Sequence, residues 1–249
     1  MRRLAPLALA AILFLGFVAL GTWQVQRRAW KLDLIERVEA RVHAPPAAAP
    51  APSAFDPRAD EYRHVALAGT FLHDRETLVQ AATVLGSGFW VLTPLRTETG
   101  GLVLVNRGFV PPEARDPAAR GAPAPTGPVR VTGLLRLSEP RGAFLRSNDP
   151  AAGRWFSRDV AAIAAARGLG PVAPYFVDQD APAADPAARG APDAAPVWPA
   201  GGLTVVRFAN SHLVYALTWY ALALMVPGAA WYVRRSSRTR AMTIPDVPD

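Results

Sequence analysis

The stretch LAPLALAAILFLGFVALGTW, Leu4–Trp23, contains twenty residues without a charge, and LVYALTWYALALMVPGAAWYV, Leu213–Val233, contains twenty-one. An α-helix needs about 20 apolar residues to cross the hydrocarbon core of a bilayer. The two runs therefore predict two transmembrane helices. The 189 residues between them, Gln24–His212, are enough for one domain with its own core.

The first run could instead be a secretory signal, because Arg2 and Arg3 form a basic start and Ala19–Gly21 resembles a cleavage site. Its apolar stretch is longer than the core of a typical signal. Trp23, followed by Arg27 and Arg28, is typical of the aromatic and basic edge of a retained helix. We therefore expect the first helix to stay in the mature protein.

The orientation follows from the charges around the second run. Only Arg207 lies close before it, whereas four arginines follow it: Arg234, Arg235, Arg238 and Arg240. Positively charged flanks stay in the cytoplasm, so both termini are predicted inside and the domain outside. Because the apolar run begins at Leu4, it leaves no room for a mitochondrial presequence, and we expect a bacterial inner membrane with a periplasmic domain.

Composition excludes several classes of function. The net charge is +7, but the central domain holds 21 basic and 18 acidic residues, so its charge is nearly balanced and nucleic acid is not expected as a partner. The basic ends suit topology or anionic membrane lipid. The absence of cysteine excludes covalent haem attachment and thiolate metal sites. A single lysine, Lys31, excludes a phosphate loop, and no hydrolase or dinucleotide motif is present, so no enzyme is expected.

The chain divides into five predicted segments: a tail and first helix at 1–24, a helical stalk at 25–43, a periplasmic β-rich domain at 44–212, the second helix at 213–233, and a basic cytoplasmic tail at 234–249. The stalk is predicted because Trp30, Leu34 and Val38 recur at a spacing of four. The tract Ala44–Pro52 breaks the helix and is predicted to be a linker.

Short runs with strand character fill the central domain. They are Tyr62–Leu67, Thr77–Ala82, Phe89–Leu95, Leu102–Val110, Val129–Leu137, Tyr175–Val177 and Leu203–Phe208. Phe156–Arg167 is predicted as one helix, and Pro111–Pro128 and Ala181–Pro199 as Ala/Pro-rich loops. The fold class is therefore an α+β membrane protein, in which two transmembrane helices flank an extracytoplasmic antiparallel sheet or small barrel.

His212 opens the second apolar run, where an ionisable residue is a candidate functional group. Tyr215, Trp219 and Leu222 follow at helical spacing and share its stripe. Neutral imidazole can bind haem iron, and an aromatic and aliphatic surface can cover the macrocycle. The alternative is an interfacial histidine with ordinary helix packing.

The predicted topology puts Trp23, Arg27 and Arg28 at the same membrane level as His212. Arginines there could bind the anionic propionates of a haem. The alternative is that Arg27 and Arg28 only anchor the end of the first helix.

Five ordered segments resemble the surfeit-locus-one family of cytochrome c oxidase assembly proteins. They are GTWQVQRRAWKLDLIERV (21–38), GFWVLTPLR (88–96), GLVLVNRGFVP (101–111), RWFSRD (154–159) and GGLTVVRFANSHLVYALTWYALAL (201–224). His212, Trp219 and Trp23 match the histidine and tryptophans of the family's motifs. The chain departs at Phe109, where the family often has tryptophan, and in its expanded proline tracts.

The resemblance implies a two-span inner-membrane chaperone of respiratory chain biogenesis. Its expected partners are oxidase subunit I and haem a synthase, and its expected cargo is haem a, bound transiently through His212. The alternative is a scaffold that stabilises subunit I without touching haem. Arg107, Trp155 and Arg158 are candidate partner contacts, although each also has a structural interpretation as a turn or helix-opening residue.

Overall fold

The computed structural model describes residues 4–142, 146–182, 197–204, 206 and 208–241. It contains two compact units. One comprises Met1–Arg37 and Arg207–Asp249, and the other comprises Val38–Val206. Each unit is described by itself below.

The first unit is built from two long helices. Helix α1 spans Leu4–Val42, and the last helix, α4, spans His212–Ala241. Both are long and apolar enough to cross a membrane, by length and composition. Large apolar side chains on each, such as Ile12, Leu217 and Leu224, are exposed, as expected for surfaces that face lipid. Helix α1 continues to Val42, which confirms the helical continuation predicted after Trp23.

Within its described residues, the second unit contains seven strands and two short α-helices. The strands are β1 (Ala47–Ala48), β2 (His64–Phe71), β3 (Thr77–Thr83), β4 (Gly86–Thr97), β5 (Leu102–Val110), β6 (Pro128–Leu137) and β7 (Val172–Gln179). The helices are α2 (Pro57–Asp60) and α3 (Val160–Ala166). Strands β2, β6, β7, β5 and β4 are neighbours in that order, and pairing of β2 with β4 closes them into a five-stranded barrel. The predicted small barrel is therefore confirmed.

Two strand pairs depart from the predicted antiparallel arrangement. Strands β5 and β7 are parallel, as are β1 and β2, while the remaining pairs are antiparallel. A closed ring with an odd number of strands cannot alternate direction throughout, so closure with five strands requires a parallel pair.

The core follows the alternation of side chains along each strand. Val103 and Val105 on β5, and Tyr175 and Val177 on β7, belong to the cluster that fills the barrel. The intervening residues Leu104 and Phe176 belong to a second cluster, which also contains Leu92, Val79, Trp155 and the α3 residues Val160 and Ile163. Both faces of β5 and β7 are therefore buried.

Three local predictions differ from the structure. Of the predicted strand Leu203–Phe208, the structure describes residues 203, 204, 206 and 208, and none of these four is in a strand. The Thr204 hydroxyl instead donates to the Asp178 carboxylate at 2.9 Å. Helix α3 is shorter than predicted because Asp159 caps it by accepting from the Ala162 N–H at 3.1 Å. Part of the predicted loop at 181–199, residues 183–196, lies outside the described residues.

The third difference concerns the proline-containing tract Ala44–Pro52, which the sequence predicts to be a linker. Ala47 and Ala48 pair with β2, and Tyr175 Oη donates to the Pro50 carbonyl at 2.7 Å. Burial raises the pKa of Tyr175 to about 12, with a smaller contribution from Asp60, so the hydroxyl stays protonated as a donor. The tract therefore packs on the barrel instead of forming a free linker.

Candidate functional site

His212 is the first residue of α4, and its ring is bound to a glutamine of α1. The His212 Nδ1 lies 2.7 Å from Gln24 Oε1, and Gln24 is only 9% exposed. An amide oxygen can only accept, so Nδ1 carries the proton in this contact. Because neutral imidazole holds one proton, Nε2 then keeps its lone pair, and no described residue binds it. This is the tautomer that a metal ligand at Nε2 requires.

Sequence reasoning missed Gln24. The residue stands beside Trp23 in the first resembling segment and is an uncharged polar group at the end of an apolar run. Such a residue in a membrane helix needs a partner, and this need was the available signal. The sequence does not identify that partner, which lies 188 residues away.

The helices approach each other closely around this pair. A Cβ placed on Gly21 would lie 2.7 Å from the Tyr220 ring, and Thr22 Oγ1 lies 3.2 Å from Tyr220 Oη. Ala216 and Ala223 on α4 are almost completely buried. Small residues at a helix contact let two backbones come near, and van der Waals packing then stabilises the pair.

The predicted aromatic stripe divides into two parts. Trp219 is half-buried and stacks on Phe17 of α1, with ring centroids 5.8 Å apart and planes inclined by 23°. Tyr215 is 54% exposed and Leu222 is half-buried. The face of α4 that contacts α1 contains His212, Ala216, Trp219 and Ala223. It therefore contains Ala216 in place of the predicted Tyr215, and Ala223 in place of the predicted Leu222. A role for Tyr215 in binding stays a prediction.

The three predicted residues of α1 have different environments. Trp23 is 53% exposed, and the Arg27 guanidinium lies 4.0 Å from the Trp30 ring centroid. Arg28 is half-buried and follows Gln24 by four residues, so the two share one face of the helix. Arg28 is therefore the arginine on the same helix face as the residue that binds His212.

Arg158 and Trp155, predicted as partner contacts, lie within the barrel unit. Trp155 is 3% exposed and belongs to the cluster that contains the α3 residues. The Arg158 guanidinium binds the Glu139 carboxylate and donates to Asp178 Oδ1 at 3.0 Å. These contacts describe structural roles, and partner binding by either residue stays a prediction.

Asp178 is the centre of a buried polar network that sequence reasoning also missed. Its carboxylate accepts from Asn106 at 2.7 Å, from Thr204 at 2.9 Å and from Arg136 at 3.3 Å, in addition to Arg158. Burial alone would raise the pKa of Glu139, but the hydrogen bonds and charge of Arg158 outweigh burial and hold that pKa below its ordinary value. Asp178 and Glu139 together balance the charges of Arg136 and Arg158.

Two of the three residues in the turn at 106–108 have structural roles. Asn106 donates to Asp178 and accepts from the Gly108 N–H at 3.2 Å. Gly108 has a φ of +128°, and a Cβ there would lie 2.2 Å from the Ala200 carbonyl oxygen. Arg107, the predicted partner contact, is half-buried with its guanidinium 5.2 Å from the Phe71 ring centroid. No described hydrogen bond or ion pair accounts for its charge.

Within the described ranges, no group of three or more histidine, cysteine or acidic side chains could hold a free metal ion. Binding of haem iron by His212 stays a prediction.

Comparison with known proteins gives a consistent result along nearly the whole chain. Residues 11–224 match the SURF1 family. The chain is 36% identical over 234 residues to the SURF1-like protein of Monosiga brevicollis, which covers 89% of this chain and 85% of that protein. It is also 36% identical over 239 residues to Surfeit locus protein 1 of Mus musculus, with 90% and 73% covered. For Surfeit locus protein 1 of Homo sapiens the identity is 36% over 221 residues, with 82% and 69% covered.

Proposed function

The chain belongs to the SURF1 family, and from that premise we propose that it is an assembly factor for cytochrome c oxidase. In this proposal the protein binds haem a transiently through His212 and assists its insertion into oxidase subunit I. Haem a synthase supplies the cargo. The protein performs no chemical conversion itself.

The observation that supports haem binding is the contact between His212 Nδ1 and Gln24 Oε1. Haem supplies an iron with open axial positions, for which imidazole nitrogen is a common ligand. A hydrogen bond from Nδ1–H orients the ring and raises the basicity of Nε2. The chain provides the ligand, its tautomer and its orientation.

The surroundings of this ligand also suit a haem. The exposed aromatic rings of Trp23 and Tyr215 offer apolar surface for a macrocycle. Arg28 and Arg27 are cations that could bind carboxylates such as propionates. No described histidine other than His212 belongs to α4, and a single protein ligand suits a carrier that must release its cargo.

We further propose that α1 and α4 span a bacterial inner membrane and that the barrel unit is periplasmic. The support is the length and apolar composition of both helices together with the arginines that follow Leu213–Val233. In this orientation the barrel unit can dock on the periplasmic side of subunit I.

The substitution His212→Ala tests the proposal directly. Protein purified in detergent from cells that make haem a should show a Soret band, and the variant should lose most of it because no other described imidazole lies in these helices. His43→Ala is the matched control, since His43 is an exposed histidine of the stalk and should leave the band unchanged.

A Soret band of equal intensity in the His212→Ala protein would contradict haem binding through this residue. Oxidase activity in cells then separates the two candidate functions. If the variant lacks the band but supports full oxidase activity, the scaffold function, in which the protein stabilises subunit I without touching haem, is the better description.

A further inference from the structure

Arg107 is a half-buried cation for which the described residues offer no anionic partner. Burial lowers its pKa, Glu76 opposes that effect and Arg120 adds to it, so the folded protein pays a free-energy cost to hold this charge. Glu76 does not neutralise it, because both Glu76 carboxylate oxygens bind the guanidinium of Arg120, at 2.7 and 3.0 Å. A half-buried charge that is kept without an ion-pair partner is expected to have a function.

The position of Arg107 in the barrel is set by strand alternation. Val103 and Val105 on β5 belong to the barrel core, and Arg107 is the next residue with the same parity, at a β-bulge where Arg107 and Gly108 both face Val91 of β4. Its guanidinium lies 5.2 Å from the ring centroid of Phe71, which is also a core residue and the last residue of β2. Arg107 therefore lies at the end of the barrel where β2 and β5 finish.

Two further polar atoms in this region are buried and have no partner among the described residues. They are Thr93 Oγ1 and His73 Nδ1. Thr93 is completely buried on β4 and pairs with Val105, so it is a diagonal neighbour of Arg107. Buried hydroxyls and ring nitrogens normally make hydrogen bonds, and two that do not, close to an unpaired cation, are unusual.

His73 lies at the same end of the barrel. Phe71, the last residue of β2, pairs with Leu95, and the Leu72 N–H donates to the Pro94 carbonyl at 2.8 Å. His73 is the next residue and begins a 3₁₀ helix, His73–Arg75. The His73 ring also lies against Phe71, with centroids 5.6 Å apart. Its Nε2 donates to the Pro125 carbonyl at 2.9 Å, which leaves Nδ1 as the atom without a partner.

From this juxtaposition we propose that Arg107 and Thr93 form a binding site for a carboxylate beside the His73 ring; these three residues are named here the barrel-end cluster. The guanidinium offers paired N–H donors that match the two oxygens of a carboxylate. The Thr93 hydroxyl adds a donor. One unpaired arginine balances a single negative charge, which favours a carboxylate over a phosphate dianion. The site belongs to the barrel unit and does not depend on haem binding by His212.

NMR titration of the full chain in detergent tests the site. The protein carries ¹⁵N-arginine, and the Arg107 Nε–H signal is identified by its disappearance in Arg107→Gln. Sodium acetate should shift this signal saturably, whereas acetamide, which has the same shape without the charge, should not. Sodium phosphate at equal ionic strength should bind more weakly than acetate.

Variants then locate the binding atoms. Thr93→Val removes the unpaired hydroxyl at constant volume, so the fold should be retained while acetate affinity, read from the Arg107 signal, falls about threefold. Arg96→Gln is the matched control, because Arg96 is an exposed arginine on β4 and should leave the affinity unchanged. Arg107→Gln, followed through the His73 ring signals, should weaken acetate binding at least tenfold, equivalent to about 1.4 kcal/mol.

N-acetylglycine distinguishes the source of the carboxylate. Tighter binding than acetate indicates the carboxyl end of a peptide, and equal binding indicates a small free acid. Shifts that do not saturate, that survive in Arg107→Gln, or that are stronger with phosphate would overturn the proposal. If Arg107→Gln does not fold, the Thr93→Val comparison with Arg96→Gln, followed through the His73 ring signals, decides it alone.

Discussion

At the scale of single residues, this protein pairs polar groups that are far apart in sequence. Gln24 is hydrogen-bonded to His212, 188 residues away in sequence. The Asp178 carboxylate accepts hydrogen bonds from Asn106 and Thr204 and forms ion pairs with two arginines. In a buried setting each such pair fixes a side-chain orientation, because breaking it would leave a polar group without a partner. The function proposed for His212 depends on one of these pairs.

Replacing Gln24 should weaken haem binding without removing the ligand. In Gln24→Leu the His212 ring loses the acceptor that fixes its tautomer, and we expect affinity for haem to fall about 10-fold to 100-fold. Gln24→Glu keeps an acceptor at this position and should restore binding. The measurement is a Soret titration of each purified variant, and equal affinity in Gln24→Leu and the unaltered protein would show that Gln24 does not position the ligand.

Glu139 should make the barrel unit sensitive to acid. Its pKa in the folded protein is below the ordinary 4.5, so its pairing with Arg158 stabilises the fold above about pH 4.5 and is lost as pH falls through the lowered pKa. Thermal unfolding should therefore show Glu139→Gln less stable than the unaltered protein at pH 7, with the difference shrinking below pH 4.5. The exposed Glu113→Gln serves as control and should match the unaltered protein throughout. A difference for Glu139→Gln that does not change with pH would contradict this linkage.

At the scale of elements, two devices shape the site and the domain. The contact between α1 and α4 uses glycine and alanine so that Tyr220 and Trp219 can pack against the facing helix. The barrel closes because β4 is long enough to pair with β3 through its first half and with β2 through its last residues. The helix contact depends on the positions of small residues along α1 and α4, and the barrel closure depends on the length of β4.

Enlarging Gly21 should separate the two helices. The added side chain of Gly21→Val would meet the Tyr220 ring, and overpacking of this kind costs about 1–3 kcal/mol. We expect a lower unfolding temperature in detergent and weaker haem binding. Gly16→Val is the matched control in the same helix, since a Cβ at Gly16 meets nothing within 4 Å. Equal behaviour of the two variants would refute close packing at Gly21.

At the scale of the whole molecule, the candidate functional residues are distributed over two units, the pair of apolar helices and the barrel unit. The helices hold the candidate ligand, and the barrel holds the buried ionic network and the barrel-end cluster. Membership of the SURF1 family covers both units, since the match runs over residues 11–224. The proposed assembly function requires the barrel unit to be periplasmic.

The absence of cysteine makes this topology directly measurable. A single cysteine introduced by Ser87→Cys, an exposed residue near the start of β4, should react with a membrane-impermeant maleimide in intact spheroplasts. A cysteine added after Asp249 should react only after lysis. Labelling of Ser87→Cys only after lysis would exclude a periplasmic barrel.

The local pattern of residues determined much of this protein by itself. Apolar runs predicted both long helices, runs with strand character predicted six of the seven described strands within a few residues, and His212 was singled out by its place at the start of the second apolar run and by the family resemblance. These features depend on neighbours in sequence, which is why they can be recognised there. Only the tertiary structure decided the partner of His212, the parallel pair that closes the barrel and the burial of Arg158. Each of these is a contact between distant segments, and such contacts exist only after chain closure has brought the segments together.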